Sequence, residues 1–228
     1  MNSVDSLTIM ATKSRTAASL PAPTRKERAA ATRERILAAA YEAFVESCFQ
    51  ATTMPSIAER AGVAVQTVYF VFHSKTELLR AVSDAAVIGV SDPRPPNLAE
   101  WYQAAVNAAD PEQALAAFAA GVATILDRMG PLTPVLASAA ALEPMIAEHL
   151  AHTEQLRVEG YGAFIRHLHR NRLLRPGLSV KIATDVLLTL LGPATYVAFT
   201  RDRGWSHNQY LKWVSPTLGE LLIRDRPS

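Results

Sequence analysis

Thiol chemistry is almost missing from this chain of 228 residues, whose only cysteine is Cys48. One cysteine excludes an internal disulfide, and its place at the end of an amphipathic segment suits a small packed side chain in a reducing cytoplasm. Long apolar runs are scarce too. The longest candidate, residues 182–199, contains Asp185 and is broken at Gly192-Pro193, short of the ~18 to 20 uninterrupted apolar residues a bilayer span requires. The first ~20 residues carry Lys13 and Arg15 among Ser, Thr and Ala but lack the apolar segment of a secretory signal, so residues 1–23 read as an arm. Charged residues make up only 19% of the chain against 49% apolar, which argues against disorder and allows one or two compact cores. No run alternates with period two, no glycine-rich phosphate loop occurs, and no Ser or Cys nucleophile motif is present. A soluble, cytoplasmic, all-α protein without cofactor or catalytic function is the expectation.

What charge there is lies unevenly. Residues 1–80 hold ten Lys or Arg against seven Asp or Glu, leaving thirteen of the 23 bases and fourteen of the 21 acids for residues 81–228. The basic excess is concentrated at Arg25, Lys26, Arg28, Arg33 and Arg35, just before the first strongly apolar segment, where a phosphate clamp would be placed. Ile36, Leu37, Ala40, Tyr41, Phe44 and Val45 repeat with helical spacing, so a first helix covers at least residues 32–47. Thr32 can cap it; alternatively Thr24 and Glu27 form a capping box and the helix starts eight residues earlier.

Residues 53–79 read as two short helices around a glycine turn. Thr53 takes the N-cap and Pro55 the first turn of one helix, Ile57, Ala58 and Ala61 share its inner face, and Gly62 ends it in the left-handed region. Val63 plugs the corner. In the next helix Val68 and Phe72 lie four apart and face inward, leaving Val65, Gln66, Thr67, Tyr69 and Phe70 for another surface. A fourth helix from Lys75 runs to the proline cluster at residues 92–96 and links this unit (24–80) to the rest (81–228). Beyond it, helices are expected over 98–109, 111–129, 132–141 and from Glu143 or Pro144 to 171. A very apolar helix over 179–200 should be kinked or split by Gly192-Pro193, and a last one covers 206–223. The two terminal helices are apolar enough to bury more than one face, as in a twofold four-helix interface between subunits.

These residues resemble the DNA-binding domain of the TetR family of transcriptional repressors. The likeness rests on Thr53, Ile57-Ala58, Ala61-Gly62-Val63, Thr67-Val68-Tyr69, Phe72, Ser74-Lys75 and Leu78-Leu79, and with the first helix spans about 50 residues. Ala64 stands where the family often has a capping Ser or Thr, and Val71 where it often has His or Tyr. The resemblance implies a homodimeric, effector-released repressor of a palindromic operator, with an effector-independent architectural DNA binder as the alternative. Gln66 is the candidate base reader, through bidentate pairing with adenine. Val65 would meet a thymine methyl, Thr67, Tyr69 and Lys75 would hold phosphates beside the outward Phe70, Thr53 would offer an N–H and a hydroxyl to another, and Arg25 and Arg28 belong to the basic arm.

The family likeness also implies a cavity for an apolar or aromatic effector. Trp101, Tyr102, Phe118, Met129, Met145, Tyr161, Phe164 and Tyr196 are its candidate lining, each equally readable as ordinary core. His149 and His152, three apart near Glu148, and His167 and His169, two apart, make poor metal sets without cysteine support, and solvated histidines are the expectation there.

Overall fold

The computed structural model describes residues 24–89 and 95–223, so the N-terminal arm and most of the proline cluster lie outside the described residues. Thr24 and Glu27 form the capping box that starts α1 (Arg25–Ala51) at the earlier of the two expected positions. The helix is not regular to its end. Cys48 turns to φ 60° and ψ 172°, and Thr52 donates back to its carbonyl oxygen at 3.3 Å. That reversal leaves Cys48 exposed, contrary to the packed thiol expected, and hands the inward position to Phe49, which is buried.

Next come α2 (Met54–Ala61), α3 (Val65–Phe72) and α4 (Lys75–Ile88), the last crossing the expected domain boundary at residue 80. A 3₁₀ turn (Pro96–Leu98) leads to α5 (Glu100–Asn107), α6 (Pro111–Met129), α7 (Thr133–Ala140) and the long α8 (Pro144–Arg170). Gly192-Pro193 splits the apolar segment as expected. It becomes α9 (Val180–Leu190) and α10 (Pro193–Val197), followed by a π-helical turn, Ala198–Asp202. By length and composition Val180–Asp202 is apolar enough to cross a membrane, more than the sequence reading allowed, yet the break and the charges of Lys181, Asp185, Arg201 and Asp202 mark it as several packed pieces. The chain ends in α11 (His207–Leu222), opened by a Ser206–Gln209 capping box. Among the described residues the only strand-like feature is one isolated bridge between Leu174 and Ile223.

Two cores organise these helices. The first joins Ile36, Phe44, Ile57, Val68, Leu78 and Leu79 of α1 to α4 with Leu132, Leu136 and Ile146 from the α7 region and the start of α8. The second gathers Phe118, Phe164, Leu187, Tyr210, Val214 and Leu218 from α6, α8, α9 and α11. At roughly 1.5 to 3 kcal/mol for each large side chain taken out of water, both are substantial. The 27-residue α8 spans about 40 Å at 1.5 Å per residue and threads both cores, so the N-terminal helices rest directly on the C-terminal ones.

Candidate nucleic-acid interface

The helix-turn-helix unit of α2 and α3 is assembled from local capping chemistry. Thr53 Oγ1 accepts the Ser56 N–H at 3.2 Å, and Ser56 Oγ accepts the Thr53 N–H at 3.3 Å, closing a reciprocal cap on α2. Pro55 sits in the first turn, where its missing N–H costs nothing. Gly62, at φ 63° and ψ 43°, ends α2 with its N–H on the carbonyls of Ala58 and Glu59. A side chain there would meet the left-handed penalty. From α2, Arg60 reaches Glu42 at 3.1 Å and Glu46 at 2.5 Å on α1, which fixes the angle of α2. Those carboxylates raise the Arg60 pKa further above its ordinary value.

The inner and outer faces of α3 divide as the spacing requires. Val68 and Phe72 are buried, whereas Phe70 is 83% exposed, Tyr69 is 48% exposed and Gln66 is exposed beside half-buried Thr67. Val65 is half-buried and packs against the first core, so only part of it faces outward. Ala64 gives α3 no side-chain cap, leaving the first-turn N–H groups without that partner. Arg25 and Arg28 are exposed on the first turns of α1. Farther along α1, the Arg33 guanidinium lies 5.1 Å from the Phe72 ring centroid, a contact the sequence reading missed because no spacing rule links residues so far apart.

Lys75 departs from expectation. Its ammonium donates to the carbonyls of Phe49 at 2.7 Å, Thr52 at 2.9 Å and Gln50 at 3.4 Å, and sits 4.4 Å from the Phe49 ring centroid. The carbonyls left open by the reversal at Cys48 attract the cation inward. Its three donors are thus spent inside the domain rather than held toward a phosphate.

The aromatic candidates of the C-terminal domain separate into groups. Phe118 and Phe164 stack with centroids 4.1 Å apart, Tyr161 stands edge-on to Phe118 at 5.3 Å, and Trp101 at 5.7 Å. Tyr102 lies 6.2 Å from Phe118. Burial raises the Tyr161 pKa, and its hydroxyl donates to the Leu191 carbonyl at 3.0 Å. Trp101 fits over Gly121, where a Cβ would collide with the indole. These rings pack upon one another. Tyr196 belongs elsewhere, donating to Asp127 at 2.7 Å and standing 3.0 Å from His207 Nδ1. Met129 packs on the first core and Met145 is 44% exposed, so neither shares a lining with the Phe118 cluster. Both flank the turns bounding α7, where the chain crosses between the cores.

Contacts of α4 join the two cores. Thr76 Oγ1 donates to Glu143 at 3.1 Å, and Arg128, at the end of α6, donates to the carbonyls of Ala86 at 2.7 Å and Val87 at 3.2 Å. Tyr41 of α1 donates to the Arg128 carbonyl at 2.9 Å. His149 is buried against Ser83, not solvated as expected, because α8 presents it to α4. Among the described residues no cluster of three or more metal-ligating side chains occurs.

Residues 36–82, from within α1 to within α4, match the family described as bacterial regulatory proteins, tetR family. The N-terminal domain is of the tetR family. The chain is accordingly a DNA-binding transcriptional regulator and not an enzyme. Similarity of fold to solved structures extends over the C-terminal helices as well. A Mesorhizobium loti protein assigned to the same family superposes with a TM-score of 0.66 at 21% identity, covering 85% of this chain and 96% of the other. NalD of Pseudomonas aeruginosa, the secondary repressor of the MexAB-OprM multidrug efflux pump, superposes with a TM-score of 0.64 at 21% identity over 88% and 100%. SmeT in complex with triclosan gives 0.67 at 21% over 86% and 93%. No curated protein matches this chain by sequence.

Proposed function

We propose that this protein is a homodimeric repressor that leaves a palindromic operator when a small apolar or aromatic effector binds. The observation that carries this reading is the exposure of Gln66, Tyr69 and Phe70 on the face of α3 opposite buried Val68 and Phe72. Gln66 would read adenine, Val65 a thymine methyl, and Thr67 and Tyr69 would hold phosphates along with the N-terminus of α2 at Thr53 and the arm residues Arg25 and Arg28. Two such helices about 34 to 36 Å apart fit successive major grooves.

Pairing is assigned to α9 and α11. Their outer faces form an open groove of about 360 Å³ lined by Ile182, Asp185, Val186, Thr189, Leu190 and Leu221, with Ile182 and Leu221 substantially exposed. A second copy presenting the same face would cover it. For the effector, the ring cluster of Trp101, Phe118, Tyr161 and Phe164 supplies apolar aromatic contacts, and the occurrence of a triclosan complex among proteins of the same fold supports that chemistry. Phe118 and Arg128 share α6, so rings displaced by an effector would shift Arg128 and the carbonyl end of α4 that it holds. Only a ligand that prefers the shifted geometry changes the population.

Selection of duplexes from a random pool by the purified protein tests the core of this reading. A dyad-symmetric site bound by two protomers is expected, and no enrichment even in dilute salt would overturn it. A thermal-shift panel of apolar aromatic compounds then tests release: a compound that stabilises the protein and weakens the selected site supports the repressor, whereas stabilisation without weakening favours an architectural DNA binder.

A further inference from the structure

His149 lies on α8 with its side chain 7% exposed, and its Nε2 shares a hydrogen bond with Ser83 Oγ of α4 at 3.2 Å. Asp84, also on α4, approaches to 3.7 Å, beyond hydrogen-bond reach, and is itself 47% exposed. We propose that protonation of His149 unlatches α4 from α8, so that mild acid loosens the helix connecting the reading unit to the C-terminal domain.

The electrostatics of the contact set the sign. Burial is the largest influence and holds the imidazole below its ordinary titration range; Asp84 opposes that, and Arg80 from α4 and His152 from α8 add to it. The remaining neighbour, α7, contains no ionisable side chain. Glu143 and Arg128 grip α4 elsewhere, at Thr76 and at the Ala86 and Val87 carbonyls. A cation at His149 therefore finds one half-solvated carboxylate and two groups of its own sign. Protons favour whichever arrangement gives the imidazole its higher affinity for them, and that is the one in which water reaches the ring. Lowering the pH through the ordinary histidine range, around 6.5, shifts the population from latched to released. The release stops growing once the latched form also protonates.

That the movement alters DNA binding rests on the function proposed above; the movement itself does not. The test is hydrogen exchange of the full chain at about pH 7.5 and about pH 5.5, corrected for intrinsic rates and read on peptides of α4. Protection of α4 should fall about threefold or more in the wild type, while His149→Gln, which keeps a hydrogen-bonding group but cannot titrate, should hold its protection. Asp84→Asn, which removes the one favourable anion from a half-exposed position, should deepen the loss. Equal protection at both pH values in the wild type, the same loss in His149→Gln, or a smaller loss in Asp84→Asn would overturn the latch. If His149→Gln does not fold, the Asp84→Asn comparison decides. No DNA is present in this measurement, so its failure leaves the regulator reading standing, and a failed duplex selection leaves the latch standing.

Discussion

The ammonium of Lys75 meets the carbonyl oxygen of Phe49 at 2.7 Å, tying the first residue of α4 to the irregular end of α1. The pairing crosses 26 residues of chain, α2 and α3 included, and fixes the frame in which α3 is presented. Charge-assisted hydrogen bonds of this kind contribute about 1.5 to 3 kcal/mol.

Lys75→Ala should therefore lower the stability of the protein by about 1 to 3 kcal/mol, seen as a drop in the denaturation midpoint. The dependence of DNA affinity on salt should keep its slope. A slope reduced by about one unit would instead mark Lys75 as a phosphate ligand.

Substitutions on the outer face of α3 should behave in the opposite way. Gln66→Ala and Phe70→Ala remove exposed side chains, so the unfolding free energy should stay within the small range usual for surface changes, about 0.5 kcal/mol. Gln66→Ala should lose about 1 to 3 kcal/mol of preference at one base pair of the selected site. Equal losses on selected and random duplexes would remove Gln66 from its assigned role.

Gly121→Ala is expected to act at a distance from DNA. The added methyl collides with the indole of Trp101 and should cost about 1 to 3 kcal/mol through overpacking. Quenching or a shift of tryptophan fluorescence should accompany the loss, together with altered response to any effector that seats on the Phe118 rings. Unchanged stability would mean that Trp101 swings away freely.

Alkaline pH provides a further check. Burial raises the pKa of Tyr161 and Tyr210, and burial with the Asp127 contact raises that of Tyr196. A folded-state pKa above the unfolded value means that the neutral phenols contribute fully below about pH 10 and that stability falls as pH climbs past it. Absorbance of the tyrosinates formed at these buried positions should then rise together with loss of helix.

Much of this fold was written locally. The Thr53 cap, the left-handed Gly62, the break at Gly192-Pro193 and the four-residue spacing of Val68 and Phe72 are near-neighbour effects, and each is found where the residues called for it, while of the two starts open to α1 the structure takes the Thr24–Glu27 capping box. The outward face of α3 follows directly from that spacing. Cys48, Lys75 and His149 did not follow. An amphipathic pattern cannot announce a backbone reversal, nor can a lysine's sequence neighbours reveal which carbonyls lie within its reach. The aromatic candidates were legible as apolar but not as partners: Phe118, Tyr161 and Phe164 meet, while Tyr196, Met129 and Met145 go elsewhere.

The amino-acid sequence by itself determined the helices, the caps at Thr53 and Gly62 and the outward ridge of α3, because hydrogen bonding and side-chain periodicity act over three or four residues. Only the tertiary structure decided which cations are spent inside the molecule, which rings touch and where a histidine leaves water. Those outcomes depend on distances across the chain, set by how α1, α4, α6 and α8 pack together.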